Sequence, residues 1–481
     1  MVAIVNGLAD EKRLTLSAGA FLVVAPWALA GLRSRDLPLF TLAAGLILFL
    51  ALFSGRAGGG AAVRQTWPWW AGDAFFWAGS LFLLYLGIQW SNAGRVLYFD
   101  VEFDRWNYSA PRNPGWPWAF TRDEALEMVY WFFPAWVLGV AMRAPCLTRQ
   151  GVAQIARWVV YGGGVLAVFG IIQYTSKTKA LYWIIPLKCQ FFASFAYSNH
   201  AAAYFVMVAA LAAGLLFREV LRPSSIRNRG RAWTLGTAMV LCLAGANLSL
   251  SRAGVILAWL LAMFIAGYGL FRGWRWLRPV TRLNAVVATV AVAAVLFFAV
   301  SGFGRVDIRR EFEVKHAPLC QMIPGLAGLN LDLSVRPMLW KAGWDVFRAD
   351  PVYGVGGWGF RYLAAFHMTP ENQQALRRNR GWANVHNDPL QFIAEFGMVG
   401  VGLMLLALSV LIVACLRRHA GNGLVRAMTC AGLTLVVVFS LIDLPFRCPA
   451  ILWTWVALLA LLPRIGGSGS GAPARGCATC A

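Results

Sequence analysis

The sequence predicts an all-α polytopic membrane protein of about 12 transmembrane helices, with a large, mostly helical loop on the outer side between the ninth and tenth. Three observations carry this. Of 481 residues, 59% are hydrophobic and 13% charged, where a soluble domain carries about 25% charged residues. The apolar residues run in stretches near the length of about 20 that crosses hydrocarbon. The basic residues, which give a net charge of +22, punctuate those runs instead of gathering on one soluble face. A soluble globular domain and a disordered chain are both excluded, and nucleic acid is not the implied partner.

In order, the spans are read at 14–31, 37–53, 71–90, 125–142, 158–174, 199–217, 232–250, 253–271, 284–302, 397–415, 427–442 and 450–462. The seventh and eighth are nearly continuous, which leaves a re-entrant pair as an alternative. Placing the N-terminus in the cytoplasm makes every even-numbered loop basic, with Arg143, Arg149 and Arg157 in one, Arg218, Arg222, Arg227, Arg229 and Arg231 in the next, and Arg417, Arg418 and Arg426 in another. That agreement is the positive-inside rule, and it places both termini in the cytoplasm. The chain divides into helices 1–9 over 1–302, a loop subdomain over 303–396, helices 10–12 over 397–465, and a Gly/Ser-rich cytoplasmic tail over 466–481 with linker composition.

Cysteine says little. Cys146, Cys242, Cys415 and Cys430 sit in or beside helices as small hydrophobes, and Cys189, Cys320 and Cys448 fall on the outer side with no assignable pairing. The stretch from Gly354 to Gly359 matches G-x-G-x-x-G, but no strand-to-helix frame surrounds it, so its glycines are read as a tight turn or a close backbone approach. Asp100 and Glu102 resemble a metal-binding acidic pair, and a solvated loop with Arg95 and Arg105 explains them better.

Histidine is scarce, five in all. His386 stands out because His386-Asn387-Asp388-Pro389-Leu390-Gln391 leads directly onto the tenth span. Arg252, in Ser251-Arg252-Ala253-Gly254, lies between two apolar runs, where a guanidinium is costly unless it is paired or binds an anion. Arg336 opens an amphipathic stretch with Trp340, and Lys188 precedes the segment 191–204. Guanidinium forks suit phosphate, and several of them converging would hold a pyrophosphate. Trp340, Trp344, Trp358 and Trp382 are candidates to stack on sugar faces or to fill the core of the loop.

Taken in order, Phe195 through Asn199 and His200 to Tyr204, then Ser251-Arg252-Ala253-Gly254, then Arg336 with Trp340, then Asp350 to Gly356, then His386-Asn387-Asp388 with Glu395-Phe396-Gly397 and Gly400, resemble the O-antigen ligase and Wzy-type polymerase superfamily. The resemblance covers roughly 191–400. Ser198 stands where the family usually carries proline, and Lys188 is the candidate for an arginine the family carries just upstream.

The resemblance implies a metal-independent, inverting glycosyltransferase of the bacterial inner membrane that uses no cofactor. Its donor would be a glycan on undecaprenyl pyrophosphate, and its acceptor either lipid A-core or a growing glycan, met on a periplasmic face among membrane lipids. His386 corresponds to the family's histidine base, and Arg252 and Arg336 to the arginines that stabilise the pyrophosphate leaving group. Lys188, Asn199, Asn387, Asp388 and Trp340 are the expected substrate-binding residues. A ligase is preferred over a polymerase, and an anion transporter is the reading from another class.

Overall fold

The computed structural model describes residues 2–53, 68–187, 190–223, 225, 227–274, 336–371, 373, 384–417 and 423–465. The expected ninth span, the loop as far as 335, Lys188, Cys189, Cys320, Trp382 and the tail lie outside them. Mostly helical, the chain runs through α1 (Val2–Trp27), α2 (Leu37–Phe53), α3 (Ala74–Ser91), α4 (Arg122–Arg143), α5 (Arg149–Thr175), α6 (Ser198–Val220), α7 (Arg229–Leu248) and α8 (Arg252–Trp274). It continues with α9 (Arg336–Ala349), α10 (Asp388–Arg417), α11 (Gly423–Ser440) and α12 (Pro449–Ile465). Among the described residues, seven helices, α3, α4, α5, α6, α8, α10 and α11, are long and apolar enough to cross a membrane, and α2 and α12 are shorter apolar helices.

Helix starts follow the sequence chemistry. Asp73, Thr121, Thr148 and Asn228 each accept a backbone N–H of the first turn of α3, α4, α5 and α7, satisfying donors that the helix leaves without intrahelical partners. α7 and α8, read as almost one run, are separate helices joined at Ser249–Ser251, where Leu250 takes φ +60°. α6 is central and almost entirely buried. Its alanines and Gly214 let α7 and α11 approach closely, as small residues do between membrane helices. The outward faces of α2 and α10, with Leu42, Phe49, Leu405 and Leu416, are exposed and apolar, the composition of a lipid-facing surface.

Beyond the helix ends lies a second, smaller core. Trp118 and Phe120 pack there with Leu339, Val346, Val355 and Phe360, so the segment before α4 and the α9 region form one unit. Trp118 Nε1 donates to Asp350 Oδ2 at 2.8 Å, and Arg361 pairs with Glu124 at 3.0 Å. The Asp100–Glu102 stretch belongs to an antiparallel hairpin, Leu97–Asp100 with Arg105–Tyr108. Cys448 is a buried free thiol facing the carbonyl of Ala30.

Three helices start well before their hydropathy spans: α1 at Val2 and not at 14, α5 at Arg149 and not at 158, and, with most bearing on the site, α10 at Asp388 and not at 397. The polar first turns of α10 depress mean hydropathy, and Gly397 (φ +60°) breaks its geometry. The break leaves carbonyls and amides without helical partners, and the glycine-rich loop takes them up. Val355 N donates to Ala394 O (3.1 Å) and Gly356 N to Glu395 O (2.8 Å), while Pro351 O and Val352 O accept from Met398 N and Val399 N (2.9 and 3.1 Å). The G-x-G-x-x-G match is therefore a close backbone approach, and Tyr85 pins it by donating to Tyr353 O and Phe396 O.

Gly354 (φ +67°) has no room for a side chain, since a Cβ would lie 2.5 Å from Glu395 C and Gly397 N. Gly354→Ala is expected to cost about 2 kcal/mol or more from the left-handed backbone and the clash together. Thermal unfolding in detergent checks this. Gly402→Ala, where nothing lies within 4 Å, is expected to leave the midpoint unchanged.

Candidate active site

The ends of α6, α10 and α11 and the short connection from α11 to α12 meet around one carboxylate, Asp443, which is 1% exposed. Tyr197, the residue before α6, donates its hydroxyl to Asp443 Oδ2 at 3.1 Å. Asn199 Nδ2 donates to the Tyr197 hydroxyl at 2.7 Å and to Asp443 itself. Arg336, the first residue of α9, brings Nη2 to 3.7 Å from Asp443 Oδ2. His386 brings Nδ1 to 3.7 Å from Asp443 Oδ1, within ion-pair reach and longer than a hydrogen bond.

Burial pushes the Asp443 carboxyl up, but His386, Arg336 and His200 together outweigh it and hold the group below the usual carboxylate range. The Tyr197 hydroxyl is driven well above its ordinary value by burial and by Asp443, so it remains a proton donor to the carboxylate. A depressed carboxyl stabilises the fold above its unfolded pKa, and that contribution is lost as pH falls through the folded value. Asp443→Asn is therefore expected to lower the thermal midpoint at neutral pH. Its gap to the parent protein should close on acidification below the carboxylate range, and a gap that stays constant with pH would contradict the assignment.

The backbone holds His386 in place. It adopts φ +57°, a left-handed conformation uncommon for a residue with a side chain, and the flanking residues fix it there. Val385 N donates to Gln391 Oε1 (3.0 Å), Asn387 Oδ1 accepts Leu390 N (2.9 Å) at the start of α10, and Asn387 Nδ2 donates to Leu441 O (2.9 Å). Asp388 is fully buried, its N–H donating to Asp443 O and its Oδ2 accepting Phe446 N at 2.8 Å. Asn387 and Asp388 thus tie the α10 start to the connection that carries Asp443. The His386 ring is partly exposed.

Arg252 heads α8 and is half-buried. Gly254 packs on Ala202, in the first turns of α6, which puts Arg252 at the same end of the bundle as Asn199. Trp340 is half-buried on the second core, Trp344 is exposed, and Trp358 carries the guanidinium groups of Arg361 and Arg447 at 4.2 and 4.7 Å from its ring centroid. His386, Arg336 and Asn199 converge on Asp443, which sequence reasoning passed over, as it did Tyr197. The available signal was Asp443 itself, a lone carboxylate at the end of an apolar run.

A cavity of about 450 Å³ opens between α3, α4, α10, α11 and α12. Its lining is almost wholly apolar, with Phe82, Phe132, Trp136, Phe392 and Trp455, and it reaches Asp388 and Phe446 beside the site.

Fold and site together define a multi-pass helical membrane protein with a polar, cation-bearing centre at one end of its bundle. Residues 237–405 match the family model described as O-Antigen ligase (Wzy_C), which bears out the resemblance to the O-antigen ligase and Wzy-type superfamily over that stretch. The matched region holds Arg252, Arg336 and His386, whereas Tyr197, Asn199 and Asp443 lie outside it. No curated protein matches the chain.

Proposed function

We propose that the protein transfers a glycan en bloc from undecaprenyl pyrophosphate to a sugar hydroxyl at the His386 face, as an O-antigen ligase acting on lipid A-core. The observation that carries this reading is His386 set against the buried Asp443 carboxylate beside Arg336, within a chain that matches the ligase family. A carboxylate facing Nδ1 favours the tautomer with the proton there, leaving Nε2 with a lone pair. The acceptor hydroxyl attacks the anomeric carbon as His386 Nε2 takes its proton, and the bond from that carbon to the pyrophosphate oxygen breaks. Undecaprenyl pyrophosphate leaves as an anion, its developing charge met by Arg336 and Arg252. The apolar cavity running up to Asp388 suits the first isoprene units of the lipid.

The test is transfer by purified protein in proteoliposomes supplied with the lipid-linked glycan and lipid A-core, in EDTA. Expected products are glycosylated lipid A-core and free undecaprenyl pyrophosphate. A longer glycan still on undecaprenyl would make the protein a polymerase. Loss of activity restored by added metal would overturn the metal-free mechanism.

A further inference from the structure

At the opposite end of the bundle, the start of α5, the end of α6 and the start of α7 enclose a cavity of about 260 Å³. Arg149, Arg157, Arg218, Arg222 and Arg231 line it with a single carboxylate, Glu219. The Glu219 side chain is 4% exposed, accepts Arg222 Nη1 at 2.9 Å and Asn228 N at 3.0 Å, and lies 3.6 Å from Arg231 Nη1. Five guanidinium groups against one carboxylate leave the wall strongly positive.

The positive-inside rule explains why arginines lie at this end of the helices. It does not explain why they surround one cavity, nor why a buried carboxylate organises two of them. Arg149 is the first residue of α5, and Arg231 lies in the first turn of α7. Both are where the helix dipole disfavours a cation and favours an anion. An anion in the cavity would relieve this repulsion and engage the guanidinium forks. Phosphate-bearing groups match that fork geometry best. The rest of the wall, Ala153, Leu215 and Leu235, is apolar, and Trp233, Val220 and Leu221 stand exposed on the adjoining helix ends, as expected where a bilayer's interfacial region meets a protein.

We propose that this cavity is a binding site for the phosphodiester headgroup of an anionic membrane lipid. The site lies at the far end of the bundle from His386 and takes no part in transfer. Native mass spectrometry of the full-length protein, with phosphatidylglycerol titrated against a phosphatidylcholine background, is expected to show retained phosphatidylglycerol. Arg149→Gln, a change at an exposed helix start with no part in holding Glu219, is expected to weaken that retention about fivefold, the worth of one basic residue near a lipid headgroup. Thermal unfolding in phosphatidylcholine nanodiscs supplies a second measure, in which phosphatidylglycerol raises the midpoint of the parent protein more than that of Arg149→Gln. Equal retention in parent and variant would overturn the proposal. So would inorganic phosphate reproducing the whole midpoint shift at matched ionic strength, because the site would then take a free anion and not a lipid.

Discussion

His386→Ala is expected to lower glycan transfer by about 10²- to 10⁴-fold, the range over which a positioned general base contributes, while binding of the lipid-linked donor persists. The two effects separate because the donor's anionic group is assigned to Arg336 and Arg252, whereas His386 is assigned only the acceptor's proton. A sugar hydroxyl is a very weak acid and needs a base at hydrogen-bond distance, and among the described residues no other histidine is placed beside both Asp443 and Arg336 with its ring partly exposed. His200, the nearest alternative, is buried and directs Nε2 to Leu444 O at 3.0 Å. Because His386 sits at φ +57°, alanine also adds backbone strain. His386→Asn is the cleaner variant, since asparagine tolerates the left-handed region and supplies no base. Initial rates paired with donor-binding isotherms make the check. Substantial turnover by His386→Asn would remove His386 as the base.

The second large effect is on stability. Glu395 and Arg447, with side chains 0% and 3% exposed, form an ion pair joining α10 to the connection before α12. Gln391 Nε2 donates to the free Glu395 oxygen at 2.9 Å, and the guanidinium stacks over Trp358 and Phe392, at 4.7 and 5.4 Å from their centroids. Removing one partner leaves the other charge buried and uncompensated. Glu395→Ala is accordingly expected to destabilise the fold by about 3–5 kcal/mol. The pair itself gains little over a well-packed apolar replacement, because desolvation offsets most of its attraction. The double variant Glu395→Met with Arg447→Leu is thus expected to recover much of the loss. A double-mutant cycle on thermal midpoints checks this, and additive losses would show that the two side chains are energetically independent.

Hydropathy and the scarce polar residues made most of the bundle and half of the candidate site legible in the sequence. The amphipathic stretch beginning at Arg336 is α9, whereas α5 starts at Arg149 and not at 158, because its cap at Thr148 is local chemistry that hydropathy does not register. His386, Arg336 and Asn199 stood out as polar groups delivered to helix ends. Asp443 and Arg447 did not, because both lie in the short gap between two apolar runs, 427–442 and 450–462, with no local pattern that marks them out. Their roles depend on partners far along the chain, Tyr197 and Arg336 for one and Glu395 for the other. The early start of α10 was hidden for a related reason. Gly397 breaks the helix, and the hydrogen bonds that repair the break come from 351–356, a pairing that no local pattern encodes.

In the proposed mechanism, one base for the acceptor and cations for the leaving group make an inventory for a single displacement. A double displacement needs a nucleophile at the anomeric carbon in addition. The most direct test is the anomeric configuration of the newly formed glycosidic bond, read by NMR on product from a donor of known configuration. Inversion is the predicted result. Retention of configuration would contradict direct attack by a His386-activated hydroxyl.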